Sequence, residues 1–461
     1  MKLTFLILLL LITFHLFLLA NLQFTAWPEM LSYPYLKNSG FLLYKDMIHP
    51  YPPVLTLTLS YLYKFFGANL NTLRFFSWCI ILSSDLLVWL VTKEISKKNA
   101  TALIAVALYV LTQPFLEGNM MWFDVALVPL LLLGALFLLR KNLLLSGIFL
   151  ALAGFTKQTG GLFYLAMLVY VIWHDRSAFL RPGLKKSVIS FLFGPLIFGG
   201  ALLVRLIQEG ALEGFWKWVI FYPSFYWSKF PNYVLINPES REWFLILLLF
   251  IPTFLFFTKN RPLLRERNWQ IMLVFLSLSV LSVYPRFSFF HFQTTLAFLS
   301  ITSACFLVSL SKRIQLVVGV AFLGLIYWTI WPWVRLEWNA ETRFYGKEDL
   351  KLSAELKDLR SNKIFLQGLQ SGLYALSSTT PPKPWSDNFG WYLEMPGVQE
   401  EIITKWEENP PDTVVWRTPS QGNWHDLGTY QPTKIVNWIS KNYMKEKELQ
   451  PGIWVWRKIK I

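Results

Sequence analysis

The chain reads as a polytopic α-helical membrane protein of about eleven transmembrane helices, closed by a small C-terminal α/β extracytoplasmic domain. Three observations predict this. Apolar runs long enough to cross a lipid core recur through the first 335 residues. Charged residues make up only 15% of the 461 and hydrophobic ones 54%, where a soluble domain carries about 25% charged residues. The net charge of +15 is confined to the membrane part: residues 1–335 hold 27 Lys+Arg against 12 Asp+Glu, and residues 336–461 hold 16 of each. A basic excess located in membrane loops is a topology signal, and it argues against nucleic acid as a partner. The domain division that follows is 1–335, transmembrane, and 336–461, extracytoplasmic.

The spans are expected near 3–22, 72–92, 100–116, 120–139, 143–156, 158–173, 187–207, 242–258, 269–285, 289–310 and 314–334. The first follows Lys2 and is about twenty residues long, too long for a signal-peptide core, so it reads as a retained anchor. Residues 143–173 are too long for one span and short for two, with Gly154, Gly160 and Gly161 in the middle, and read as a hairpin of two short helices. The run 54–66 has a helical pattern over thirteen residues and reads as interfacial or re-entrant. With a cytoplasmic N-terminus, the loops 93–99, 140–142, 174–187, 259–268 and 311–313, together with Lys2, carry sixteen Lys+Arg. Every inner loop is then basic, and the C-terminal domain lies outside. The two cysteines, Cys79 and Cys305, sit in apolar runs and offer neither a disulfide framework nor a metal site.

Beyond residue 336 the composition changes. The segments 349–361 and 432–444 have helical spacing, and 363–368, 412–417 and 453–458 read as short strands. A proline-rich loop, 379–397, carries Asp387 and Asn388 among aromatics. The outer loop 213–242 is crowded with Trp, Tyr and Phe, which suits anchoring at headgroups or contact with a lipid chain or sugar.

Ionisable residues in or beside a span are costly and are functional candidates by default. On the outer side these are Asp46, His49, Glu117, Asp124, Lys157, Arg205, Arg286 and His291. Asp46 lies in LLYKDMIHPYPPV (42–54), where three prolines fix φ and stiffen the chain. A carboxylate on such a support suits a general base; it also suits a turn cap or a partner for Lys45. Asp124 opens the fourth span, as a helix cap or a functional acid. Lys157 and Arg286 suit either headgroup contact or a lipid phosphate.

The stretch GFLLYKDMIHPYPPVLTLTLSYLYKFFGANLNTLR (40–74) resembles a pattern of polytopic membrane glycosyltransferases of the GT-C class, G-x-x-x-Y-x-D, then Y-P-P, an apolar helix ending in F-G, and an arginine. LSGIFLALAGFTKQTG (145–160) and the aromatic P-R-F-x-x-x-H segment at 285–291 are similar to that class too. The C-terminal part resembles the outer domains of the protein O-mannosyltransferase and lipid A aminoarabinose transferase branch. Unlike the protein O-mannosyltransferases, the first outer loop has no Asp-Glu pair. The resemblance implies a GT-C-like fold and an inverting transferase. It would move a hexosyl or pentosyl unit from a polyprenyl-phosphate donor to a hydroxyl of a glycan, lipid or protein acceptor. It implies Asp46 and Asp124 as catalytic carboxylates and Lys157 and Arg286 on the donor phosphate; Tyr44, His49, Glu117 and His291 are further candidates for substrate contact. No metal-ligand spacing is present, so the sequence requires no cofactor, while a divalent cation is left open. The setting expected is a prokaryotic inner membrane. The competing readings are a lipid-linked oligosaccharide ligase or polymerase, and a lipid or glycan transporter.

Overall fold

In the computed structural model each of the eleven apolar runs is helical: Lys2–Asn21, Leu70–Ser96, Asn99–Thr112, Phe123–Leu139, Leu143–Thr156, Gln158–His174, Pro182–Glu209, Glu242–Lys259, Arg267–Leu281, Gln293–Ser309 and Lys312–Glu337. The structure describes residues 2–174, 182–230, 233, 240–284, 286–359, 361, 363–419 and 429–459. Half of the predicted inner loop 174–187, part of the outer loop 213–242, and Pro285 lie outside them. Among the described residues six helices are long and apolar enough to cross a membrane: Lys2–Asn21, Leu70–Ser96, Val188–Glu209, Glu242–Lys259, Phe289–Ser309 and Lys312–Glu337. The other five are 14 to 17 residues long, below the ~20 residues that a helix needs to cross lipid unaided. Eleven spans thus stand as an expectation, and six meet the length.

The chain divides into two compact units, and the division differs from a cut at 335. Unit 1 comprises Met1–Phe24, Phe75–Ala201 and Val234–Ala340; unit 2 comprises Thr25–Arg74, Leu202–Tyr233 and Glu341–Ile461. Residues 25–74 and part of the aromatic loop pack with the C-terminal residues, so the second unit is built from three stretches of chain. Composition along the chain marks where polarity rises. It does not mark which distant polar stretches bury one another.

Unit 1 is a helical body around a core of Leu, Val, Phe and Ala side chains. Small residues set how closely its helices approach. A Cβ on Gly147 would fall 2.2 Å from the Phe191 carbonyl oxygen, and one on Gly194 2.7 Å from the Gly147 oxygen. Hydroxyls tie other helices together: Thr253 Oγ1 and Thr302 Oγ1 are 2.6 Å apart, and Ser303 Oγ donates to the Leu249 carbonyl at 2.6 Å.

Unit 2 contains a four-stranded mixed sheet of β1 (Ile364–Gln367), β2 (Thr413–Arg417), β3 (Tyr443–Gln450) and β4 (Ile453–Lys458), in the order β1-β2-β4-β3. β1 and β2 are parallel, joined through the helix Val398–Glu408; β4 runs antiparallel to both β2 and β3. β3 was not expected from the sequence, and the helix Thr433–Asn442 stops before it. The helix Val54–Phe66 matches the predicted thirteen residues. It buries Leu55, Leu59 and Tyr63, one face at i, i+4 and i+8, and leaves Tyr61, Phe65 and Phe66 exposed. Tyr63 Oη donates to the Met30 carbonyl at 2.9 Å, fastening this helix to Pro28–Asn38.

Candidate functional site

The predicted site residues gather in two places, one in each unit. In unit 2 the segment around Asp46 folds as a tight turn. The Asp46 amide donates to the Leu42 carbonyl at 2.9 Å, and the Tyr44 amide to the Met47 carbonyl at 3.0 Å. Tyr44 takes φ +68 to close the turn, a left-handed conformation that a bulky residue holds only when its surroundings enforce it. They do: the ring is buried, packs 5.3 Å from His49 and 5.1 Å from Phe215, and its Oη donates to the Tyr51 carbonyl. The turn is also extended as a strand-like edge. The Trp385 amide donates to the Asp46 carbonyl at 2.9 Å, and the Ile48 amide to the Trp385 carbonyl at 2.9 Å.

The Asp46 carboxylate is held at one oxygen. Its Oδ2 accepts from the Leu42 amide at 3.0 Å and from Lys383 Nζ at 2.7 Å. Lys383 also donates to the Gly40 carbonyl at 2.9 Å and lies over the Phe41 ring at 4.7 Å. Thus Asp46 pairs with Lys383, and Lys45 instead reaches the Glu209 carbonyl at 3.2 Å. Arg205 is paired with Glu209 at 3.0 Å.

His49 is fully buried. Its Nδ1 donates to the Tyr51 carbonyl at 2.8 Å, and its Nε2, then unprotonated, accepts from Thr56 Oγ1 at 2.8 Å. Burial pushes its pKa down to about 3. With both nitrogens used and no exposed surface, His49 braces the Pro50–Pro53 turn and is not placed to touch a substrate. Tyr44 is likewise a support for the turn. Deeper in the same unit, Asp387 accepts from Ser371 Oγ at 2.6 Å and from the Asn388 amide at 2.8 Å. Burial pushes its carboxyl up to about 7, the two hydrogen bonds acting against that rise. Ser371 Oγ is also 3.1 Å from Ser32 Oγ, so Asp387 is built into the interior of the unit.

In unit 1, Asp124, Lys157 and His291 converge. Asp124 lies in the first turn of Phe123–Leu139. Lys157 is the extended residue between Leu143–Thr156 and Gln158–His174. His291 belongs to the 3₁₀ turn Phe289–Phe292. Lys157 Nζ donates to both Asp124 oxygens at 2.7 Å, and His291 Nδ1 donates to Asp124 Oδ2 at 2.8 Å. A carboxylate only accepts, so Nδ1 carries the proton. The 3.2 Å approach of Lys157 to that nitrogen is then a contact rather than a hydrogen bond. Among the described residues two of the three Lys157 N–H groups find an oxygen, and the third is left for another. The side chains of Lys157, Asp124 and His291 are only 10%, 3% and 10% exposed. Arg286 is half-buried within electrostatic reach of His291. Glu117 sits at φ +51, in the left-handed region, within the kinked turn Pro114–Gly118.

Among the described residues no group of three or more His, Cys, Asp and Glu side chains is arranged to hold a metal ion. Several polar residues were not anticipated as candidates. Lys383 is the partner of Asp46. A second buried network in unit 1 links His15, Asp85 and Gln113. The signal for His15 and Asp85 was available, since both interrupt apolar spans.

Residues 49–197 match the family model described as dolichyl-phosphate-mannose-protein mannosyltransferase; Asp124 and Lys157 fall within the match, and Asp46 lies three residues before it. No curated protein sequence matches the chain significantly. Among solved structures, ArnT from Cupriavidus metallidurans bound to undecaprenyl phosphate superposes with a TM-score of 0.59 and 13% identity, over 99% of this chain and 98% of that one. Its apo state gives a TM-score of 0.59 and 12% identity, over 99% and 97%. The fold is therefore that of ArnT, and the chain is an integral multi-pass membrane protein.

Proposed function

We propose that the chain is an inverting glycosyltransferase. It moves a monosaccharide from a polyprenyl-phosphate donor to a hydroxyl of an envelope acceptor at the outer face of the membrane. The observation that carries this reading is the setting of Asp46. Its turn is fixed by backbone bonds on both sides, and among the described residues its side-chain hydrogen bonds fall on Oδ2, which leaves Oδ1 for an incoming proton. The likeness of the whole chain to ArnT bound to undecaprenyl phosphate supports the choice of donor, and the family model supports a transferase.

In the proposed reaction the acceptor oxygen bonds to the anomeric carbon as the bond from that carbon to the phosphate oxygen breaks. The acceptor proton passes to Asp46, and polyprenyl phosphate leaves with the electron pair. One displacement inverts the anomeric centre. Charge accumulates on the leaving phosphate, and Lys157 and Arg286 are assigned to it. The unused N–H of Lys157 supports that assignment, and Asp124 acts by aiming Lys157.

The test is sugar transfer in membrane vesicles supplied with a panel of labelled polyprenyl-phosphate monosaccharides, comparing wild type with Asp46→Asn at matched expression. Wild type should transfer one sugar, and the Asn variant should be slower by about 10²- to 10⁴-fold, the range of a lost general base. Equal rates would remove Asp46 as the base. No transfer from any donor would overturn the reading.

A further inference from the structure

His15 and Asp85 form a wholly buried pair inside two of the long apolar helices, Lys2–Asn21 and Leu70–Ser96. His15 Nδ1 lies 3.0 and 2.9 Å from the two Asp85 oxygens, and its Nε2 lies 3.1 Å from Gln113 Oε1. Gln113 Nε2 donates to the Gly118 carbonyl at 3.0 Å, which fixes the amide with its oxygen toward His15. Both ring nitrogens therefore meet acceptors. Nε2 carries a proton, and Nδ1 shares one with Asp85.

What this pair holds is a break in the helical backbone. After Gln113 the chain enters the turn Pro114–Gly118, where Leu116 is at φ −110, ψ 52 and Glu117 at φ 51, ψ 36. Local amides meet part of this break, the Met120 amide donating to the Gly118 oxygen at 2.9 Å and the Leu116 amide reaching the Gln113 oxygen at 3.4 Å, and side chains supply the rest. Gln113 meets the Gly118 oxygen. Gln293 Nε2 meets the Leu116 oxygen at 2.7 Å and approaches the Gln113 oxygen at 3.3 Å. A Cβ on Gly118 would lie 2.1 Å from the Gln113 carbonyl oxygen, so the turn admits only glycine there. The turn leads within six residues to Asp124, and Gln293 is two residues beyond His291. Asn119 completes the anchorage, donating to the Leu19 and Leu22 carbonyls at 2.9 and 3.0 Å and accepting from Trp78 Nε1 at 3.0 Å.

We infer that His15 and Asp85 are positioning residues for the Asp124–Lys157–His291 cluster, acting through Gln113 and Gln293. The His15–Asp85 pair orients the Gln113 amide. That amide and Gln293 pin the 114–118 turn between the entry to Asp124 and the turn that carries His291. A buried ion pair is costly and contributes little net stability, so orientation is the use this one is put to. The role in catalysis rests on the transferase reading; the role in holding the turn does not.

Three variants of the full chain in detergent test it by hydrogen exchange and by transfer kinetics. Asp85→Asn lets an Asn N–H donate to His15 Nδ1, so Nε2–H stays on Gln113, and exchange and kcat should match wild type. The double variant His15→Leu/Asp85→Leu removes both partners and leaves no lone buried charge. Amides of 116–122 should then exchange about tenfold faster, helix 143–156 should be unchanged, and kcat should fall about tenfold with KM unchanged. Gln113→Met reads the same step with the ion pair intact and should behave like the double variant. Wild-type exchange at 116–122 in both the double variant and Gln113→Met overturns the inference. So does a loosened turn with wild-type kcat, or an Asp85→Asn loss as large as that of the double variant. If wild type transfers no sugar, the transferase reading fails, and the exchange result still decides whether the pair holds the turn.

Discussion

Replacing Lys157 by Met removes the charge and keeps an apolar stem. In the structure Lys157 Nζ sits 2.7 Å from each Asp124 oxygen, with both side chains at most one-tenth exposed. Asp124 would then be a buried carboxylate with His291 as its remaining side-chain partner. Breaking a buried pair from one side costs about 3–5 kcal/mol. For a body the size of unit 1 each kcal/mol shifts the unfolding midpoint by about 2 °C, so Lys157→Met should lower it by about 6–10 °C. The double variant Lys157→Met/Asp124→Asn removes both charges and should lie within about 2 °C of wild type, because the penalty arises from the unpaired charge rather than from the lost attraction. The assay is thermal unfolding in detergent followed by tryptophan fluorescence. Raising the salt from 0.05 to about 0.5 M should leave the difference unchanged, since a buried pair is poorly screened. A midpoint for Lys157→Met within about 2 °C of wild type, or a double variant as unstable as the two single ones added together, would refute the argument.

Lys383→Ala should change stability by less than about 1 kcal/mol, because the Lys383 side chain is 43% exposed. It should lower sugar transfer about tenfold by freeing the Asp46 carboxylate, and Lys383→Arg should restore most of it; full transfer by the Ala variant in vesicles would sink the assignment. Asp387 has its carboxyl pushed up to about 7 by burial, against about 3.9 when unfolded. Its contribution to stability is therefore complete below pH ~4 and is lost as the pH rises to about 7. Asp387→Asn should remove that decline from midpoints measured between pH 4 and 8, and an unaltered slope would contradict it.

Helical periodicity carried most of the fold, because each apolar run of this chain is also a local structural unit. The helix 54–66 and the hairpin at 143–173 were legible for that reason. β3 was not. Its sequence, YMKEKELQ, is exposed along most of its length, and an edge strand laced with Lys and Glu looks like a solvated loop or a continued helix. The two compact units were also illegible, because their boundaries depend on which remote stretches bury one another.

The candidate site divides along the same line. Asp46, Asp124, Lys157 and His291 each stood out as an ionisable residue in an apolar setting, but pairing was a separate matter. Asp124 suited a helix cap and Lys157 a headgroup contact when read one at a time. Their common use appears only when residues 33 and 167 positions from Asp124 meet it. Lys383, 337 positions from Asp46, lay in a proline-rich stretch where a lysine draws no attention. His15 and Asp85 are a different kind of omission. Each breaks an apolar run near its middle, where an unpaired ionised group would be prohibitively costly. Two such residues in neighbouring helices therefore imply each other, and that inference needed no structure at all.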